Sequence, residues 1–329
     1  MAKYNPNRLF GVEIEVATTK SNRVVANAIN AEFLHQGINQ ACEAQSYNHN
    51  TQQIWKVVQD SSVRGWEIVS PPMKGSQGLM ELSAVCKALN ALEVKVNTTT
   101  GLHVHHDARD LSGQEVGMTY SLYATFQHIF NMMVAPSRRN SHFARPLNWM
   151  LLTNSGRDNF KGEIRNTNNR SNMNGIEWKL RDRLNAGGMH SYTSVDCMSL
   201  YRHGTIEFRQ HQGTINATKI WNWVLMTQSI IEAAREKKIL PKPSFITGKS
   251  YPRGEFSRFA NNIAISPCYH VRAQNEDYKR NPNAPTIQDA CADYVEVYKY
   301  FAKLVKKNAL LSETNTRTLD GARLALPRR

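Results

Sequence analysis

Four short stretches of this chain carry side chains of the kind that hold cations or phosphates. In GVEIEV, Glu13 and Glu15 lie two apart, so on an extended strand both carboxylates leave one face and repel unless a cation sits between them. In DSSVRGWEIVSPP, Asp60 and Glu67 flank a turn and can face one another across a hairpin. In TGLHVHHD, His103, His105 and Asp107 share a face opposite Leu102, Val104 and His106, a spacing suited to metal or phosphate. In GTIEFRQHQGT, Glu207, Arg209 and His211 share a face opposite Ile206 and Phe208. Taken singly, each pattern is also that of an ordinary solvent-facing strand. Together they repeat one design, an apolar face for a core and a face of carboxylate, imidazole or guanidinium. If the four strands share one sheet, Glu13, Glu15, Asp60, Glu67 and Glu207 bring five negative charges into one concavity, which requires bound cations. Ligation rich in oxygen with a single His favours Mg²⁺ or Mn²⁺ over zinc. Mg²⁺ commonly arrives with phosphate, and Arg209 could grip a phosphoryl oxygen.

The elements that must position these groups can be read from periodicity. Alternation predicts strands from Arg8 for about ten residues, over Ile54 to Asp60 and Gly65 to Ser70, over Gly101 to Asp107 and over Thr205 to His211. Helical spacing covers Val24 to Phe33 and Gln77 to Leu92. A capping box at Ser112 and Glu115 starts a helix reaching about Val134, and Asn216 caps one running to about Lys237. Strands and helices thus alternate within a region expected to span 1–240. Inside it, 136–204 reads as a loop-rich basic insertion. Its Pro136 to Arg183 stretch holds ten Lys or Arg against four Asp or Glu. A Pro-punctuated segment follows Pro241, with a last helix over roughly Ile287 to Lys307. This part, 241–329, is expected to pack on the same domain.

Composition narrows the class. The chain has 329 residues, 41% of them hydrophobic, which excludes a disordered tail or a disulfide-stapled miniprotein. The five cysteines (Cys42, Cys86, Cys197, Cys268, Cys291) are scattered and form no Cys-x-x-Cys, which fits a reducing compartment. No apolar run approaches a membrane span and the first residues lack a signal-peptide core, so a soluble cytoplasmic protein with no membrane partner is expected. The net charge of +14 points to polyanionic company. Ile246 to Ser250, ITGKS, ends like a P-loop, but Pro243 stands where that pattern needs Gly. Neither G-x-G-x-x-G nor G-x-S-x-G occurs, which argues against a Rossmann site and a nucleophile-elbow hydrolase.

The ordered set GVEIEV, D-x₆-E, GLHVH and TIEFR resembles the carboxylate–amine ligase superfamily that contains glutamine synthetase and glutamate–cysteine ligase. The phrases EIVSPP, TGLHVH, PSRRN and EFRQHQGT are most similar to the amidoligases of phages and bacteria, over much of Arg8 to about Trp223. The resemblance implies an α+β fold, a strongly curved antiparallel sheet of half-barrel form with helices outside and the site in its concave face. It implies one metal held by Glu15, Asp60 and Glu67 and a second by Glu13, His103 and Glu207. It also places His105 on nucleotide phosphate and Arg209 on the transferred phosphoryl group. The implied chemistry uses ATP and Mg²⁺, with Mn²⁺ as a substitute: a carboxylate attacks the γ-phosphate and an amine then attacks the acyl phosphate. The carboxylate and amine substrates could belong to a peptide or protein, and a phage enzyme would work in the host cytoplasm. Arg138, Arg139 and Arg183 are candidates for gripping the substrate carboxylate. Because the first motif strand begins by Phe10, the small N-terminal domain of glutamine synthetase, and hence its ring assembly, is not expected. Two other classes fit part of the pattern. A basic nucleic-acid-binding protein would use the Arg/Asn-rich segment and Phe143, Trp149, Phe160 and Trp178, and a metal-dependent hydrolase would use the same cations to activate water.

Overall fold

In the strand Phe10–Ala17 (β1), Phe10, Val12, Ile14 and Val16 are buried on one face, as the two-residue period requires. Each such side chain stabilises the fold by about 1.5–3 kcal/mol when fully removed from water. The computed structural model describes residues 5–125, 127–139, 141–147, 192–196 and 198–235. The remaining strands are Cys42–Ala44 (β2), Trp55–Val58 (β3), Gly65–Val69 (β4), Gly101–Asp107 (β5), Val195–Asp196 (β6) and Thr205–Gln212 (β7). They form one sheet of seven strands in the order β2-β3-β4-β1-β5-β7-β6. All the pairings are antiparallel except β2 with β3, which is parallel, so the sheet is mixed and open where the sequence suggested an antiparallel one. The expected C-terminal helix, ITGKS, Arg183, Trp149, Phe160, Trp178, Cys197, Cys268 and Cys291 lie outside the described residues.

The helices cover the apolar face. Asn22–His35 (α1) starts at Ser21, whose hydroxyl accepts from the Val24 amide at 3.4 Å. It buries Val25, Ile29 and Phe33. Gly75–Ala91 (α2) buries Leu82, Val85 and Leu89, and Ala217–Arg235 (the last described helix) buries Ile220, Trp223 and Val224. Helix α2 comes so close to β1 that a Cβ on Gly78 would lie 2.8 Å from the Met73 Cβ and 2.9 Å from the Phe10 ring. The capping box forms as expected. The Glu115 carboxylate accepts from the Ser112 amide at 2.6 Å, and the Ser112 hydroxyl accepts from the Glu115 amide at 3.3 Å. Gly113–Thr125 (α3) and Gln127–Met133 (α4) follow, then a 3₁₀ turn at Pro136–Arg138. Met198–His203 (α5) leads into β7, and the last described helix, Ala217–Arg235 (α6), is capped by Asn216, whose Oδ1 accepts from the Lys219 amide at 3.0 Å. No described helix is long and apolar enough to cross a membrane.

One expectation about β7 is corrected. Leu102 pairs with His211 while Val104 pairs with Phe208, so two residues, Arg209 and Gln210, face the single residue His103. This β-bulge interrupts the alternation. Beyond it His211 lies fully buried against the Trp223 ring, at 4.9 Å between centroids, on the helix side of the sheet and not beside Glu207.

Candidate active site

The register of the central strands brings the acidic groups to one face. Glu15 pairs with Glu67 across β1 and β4, Glu13 with His103 across β1 and β5, and His105 with Glu207 across β5 and β7. The carboxylates of β1 and β7, separated by one strand, converge on the imidazoles of that strand. His103 is touched by three carboxylates: its Nδ1 lies 2.9 Å from Glu13 and 3.6 Å from Glu207, and its Nε2 lies 3.5 Å from Glu15. His105 Nε2 lies 3.3 Å from Glu13 and 3.9 Å from Glu207, while its Nδ1 meets the Thr205 hydroxyl at 3.0 Å. Glu15 accepts from the Gly101 amide at 2.5 Å, and Asp60 accepts from the Ser62 amide at 2.5 Å in the turn between β3 and β4. Arg209 pairs with Glu207 and lies over the Tyr192 ring at 5.5 Å.

Little water reaches these charges. Glu15, Glu67, Glu207 and His103 are 4%, 8%, 6% and 3% exposed, so their mutual energies are those of a poorly screened interior. Burial raises the Glu67 carboxyl, and Glu13, Asp60 and Glu15 push it further, well above the ordinary carboxylate range. Burial acts on Glu13 in the same sense but is outweighed by His105 and His103, which hold it well below that range. Glu207 is also lowered against its burial, by Arg209 and His105. Burial pulls the His105 imidazole down, but Glu207 and Glu13 outweigh it and lift it to about 8. Without a further cation, a proton must therefore stand in for positive charge.

Among the described residues, three groups place one ligand atom from each member within 4.8 Å of the others: Glu15, Asp60 and Glu67; Glu13, Glu67 and His103; and Glu13, His105 and Glu207. Their donors are hard oxygens with one imidazole at most. His105 Nε2 is buried without a hydrogen bond, its 3.3 Å approach to Glu13 being badly angled for one. An orphaned ring nitrogen aimed at two carboxylates fits a divalent cation. Glu13, Glu15, Asp60, Glu67, His103, His105, Glu207 and Arg209 are thus brought together. Of the expected second set, Glu13 and His103 share one group with Glu67, Glu13 and Glu207 share another with His105, and His103 Nδ1 also lies 3.6 Å from Glu207.

Arg138 is 3% exposed and donates from Nη2 to the Arg209 carbonyl at 2.7 Å. Arg139 donates to the Val134 carbonyl at 3.4 Å. Lys56, a charged residue inside the apolar run IWKVV, is the signal that sequence reading passed over. It is buried, and its ammonium donates to the Asn48 and Asn50 carbonyls at 3.1 and 2.9 Å, fastening the loop between β2 and β3. Asp196, paired with Glu207 on the edge strand, had no such signal. The fastened loop walls a pocket of about 360 Å³ that opens onto Glu13, Glu67 and His105, with Tyr47, His49, Arg109 and His203 on its rim. Thr51 reaches across to the His203 ring at 3.2 Å.

A family profile described as "Putative amidoligase enzyme" matches residues 6–231. The chain belongs to this family. The amidoligase match covers every strand of the sheet and all four carboxylate- and imidazole-bearing motifs. Membership supports an enzyme that is a ligase, with substrates of the carboxylate and amine type. A search of curated proteins gives no match for this amidoligase.

Proposed function

We propose that this amidoligase joins a carboxylate to an amine at the expense of ATP, through an acyl phosphate, with two divalent cations, Mg²⁺ or Mn²⁺, bound by the acidic face. The observation that carries this reading is the convergence of Glu13, Glu15, Asp60, Glu67 and Glu207 around His103 and His105, in overlapping groups of hard donors. Glu15, Asp60 and Glu67 would hold one cation, and Glu13 and Glu207 with His103 or His105 the other. When bound, the cations neutralise triphosphate charge and polarise the γ-phosphoryl group. The half-barrel fold of glutamine synthetase belongs to the same proposal.

The chain's own residues have distinct tasks. The pocket beside Glu13, with its amide-, phenol- and imidazole-bearing wall, receives the base and sugar of the nucleotide and leaves the phosphates facing His105. A substrate carboxylate oxygen forms a bond to the γ-phosphorus as the bond to the β-γ bridging oxygen breaks, and ADP leaves. Arg209, held by Glu207, donates to the equatorial oxygens as their charge rises. Burial of the site keeps water from the acyl phosphate. The amine nitrogen then attacks the acyl carbon, loses a proton, and inorganic phosphate departs.

The decisive experiment measures ADP release from Mg-ATP with pooled amino acids and peptides, with and without an amine donor. Release that needs both partners is expected. Release with water as the only acceptor would replace the ligase with a hydrolase.

A further inference from the structure

The bulge in β7 has a physical cost that one side chain meets. Two residues facing one leave the ladder short of donors, so the carbonyls of Arg209 and Gln210 need other partners. Arg138 supplies them: its Nη2 donates to the Arg209 carbonyl at 2.7 Å and its Nε to the Gln210 carbonyl at 3.5 Å. A flat guanidinium presents its donors on separate nitrogens in a fixed planar fork, whereas an ammonium offers them all from one atom. Room for it comes from Gly101, where a Cβ would lie 3.0 Å from Arg138 Nη2 and 3.2 Å from His103 Nε2. The amide of the same Gly101 donates to Glu15. On the opposite face, the Gln210 side chain accepts from Tyr123 and from Gln127, the latter at 2.9 Å, so the bulge is gripped from both sides.

We infer that Arg138 is a positioning residue: it fixes the β7 bulge that begins at Arg209, holding the Arg209 backbone beside Glu207 while His211 goes into the core. Arg138 does not meet substrate, because it is buried and its named donors are spent on backbone. It acts through Arg209, and through Gly101 it abuts the strand that supports Glu15. Its effect on turnover rests on the role proposed above for Arg209, whereas its effect on the bulge does not.

The test uses the full-length chain as Arg138→Met, Arg138→Lys and Gly101→Ala. Arg138→Met should lower kcat about 100-fold, the scale of a misplaced catalytic group, with KM for ATP and Mn²⁺ affinity by electron paramagnetic resonance unchanged. Arg138→Lys, retaining one charged donor, should recover part of kcat, and Gly101→Ala should lower kcat by crowding the guanidinium. A general loss of structure would instead depress Mn²⁺ affinity in step with kcat, and that result would overturn the inference. So would normal kcat in Arg138→Met. Crystal structures of the Arg138→Lys and Gly101→Ala proteins decide the geometry independently of turnover. Arg209 is expected to leave Glu207, and an unaltered bulge with the Arg209–Glu207 pair intact in both would refute the assignment even if the wild-type chain proved inert toward ATP.

Discussion

His103, wedged among three carboxylates at 2.9 to 3.6 Å, states the electrostatic problem of this chain at the scale of one residue. An imidazole can carry one positive charge and cannot balance three neighbours. If the remaining charge comes from cations, removing one carboxylate from either side should disable the site without disturbing the core. Glu15→Gln and Glu207→Gln are each expected to abolish ATP turnover with a circular dichroism spectrum like that of the parent, and near-normal turnover in either would remove that residue from the ligand set. Arg209→Lys keeps the charge but loses the planar fork that meets Glu207, so turnover should fall about 100-fold with ATP affinity retained. An effect confined to affinity would contradict its role.

At the scale of elements, β1 and β5 were legible because two-residue alternation is a local property: β5 has its expected ends, and β1 starts two residues later than expected. The bulge was not legible, because one extra residue in β7 takes its meaning from the strand beside it. For the same reason His211 seemed to belong with Glu207. The strands β2 and β6, three and two residues long, are too short to show a period. Buried His106 gives β5 a pH dependence. Its Nε2 meets Thr227 at 2.8 Å, while its Nδ1 has no hydrogen-bond partner. The Thr227 hydroxyl is within donating distance of the Trp223 carbonyl, so the imidazole Nε2–H donates to that hydroxyl. Burial first, then Arg8 and His105, keeps it well below its ordinary value of 6.5. The unfolded chain therefore takes up a proton that the folded chain refuses, and stability present above that value is lost as pH falls. The urea midpoint should decline between about pH 7 and pH 5, and His106→Gln should flatten that decline. Gly78→Ala should cost about 1–3 kcal/mol by overpacking α2 against Phe10, seen as a lower melting temperature with unchanged metal affinity.

For the molecule as a whole, cations and fold are thermodynamically linked. If Mg²⁺ or Mn²⁺ binds the folded acidic face and not the unfolded chain, saturation a hundredfold above Kd adds about 2.7 kcal/mol to stability. Differential scanning calorimetry should show a melting temperature that climbs with Mn²⁺ and climbs less for Glu15→Gln. A flat response would argue against specific ligation. What the sequence could not convey at this scale is strand order: the motifs follow one another in the chain, but nothing local says that the first strand lies in the middle of the sheet.

That order has a consequence during synthesis. β1 borders β4 and β5 but reaches the carboxylate of Glu207 only across β5, after nearly two hundred further residues have been made. If the acidic face binds cations as proposed, a translation product that stops before Glu207 carries Glu15, Asp60 and Glu67 without the opposing wall and should not turn over ATP.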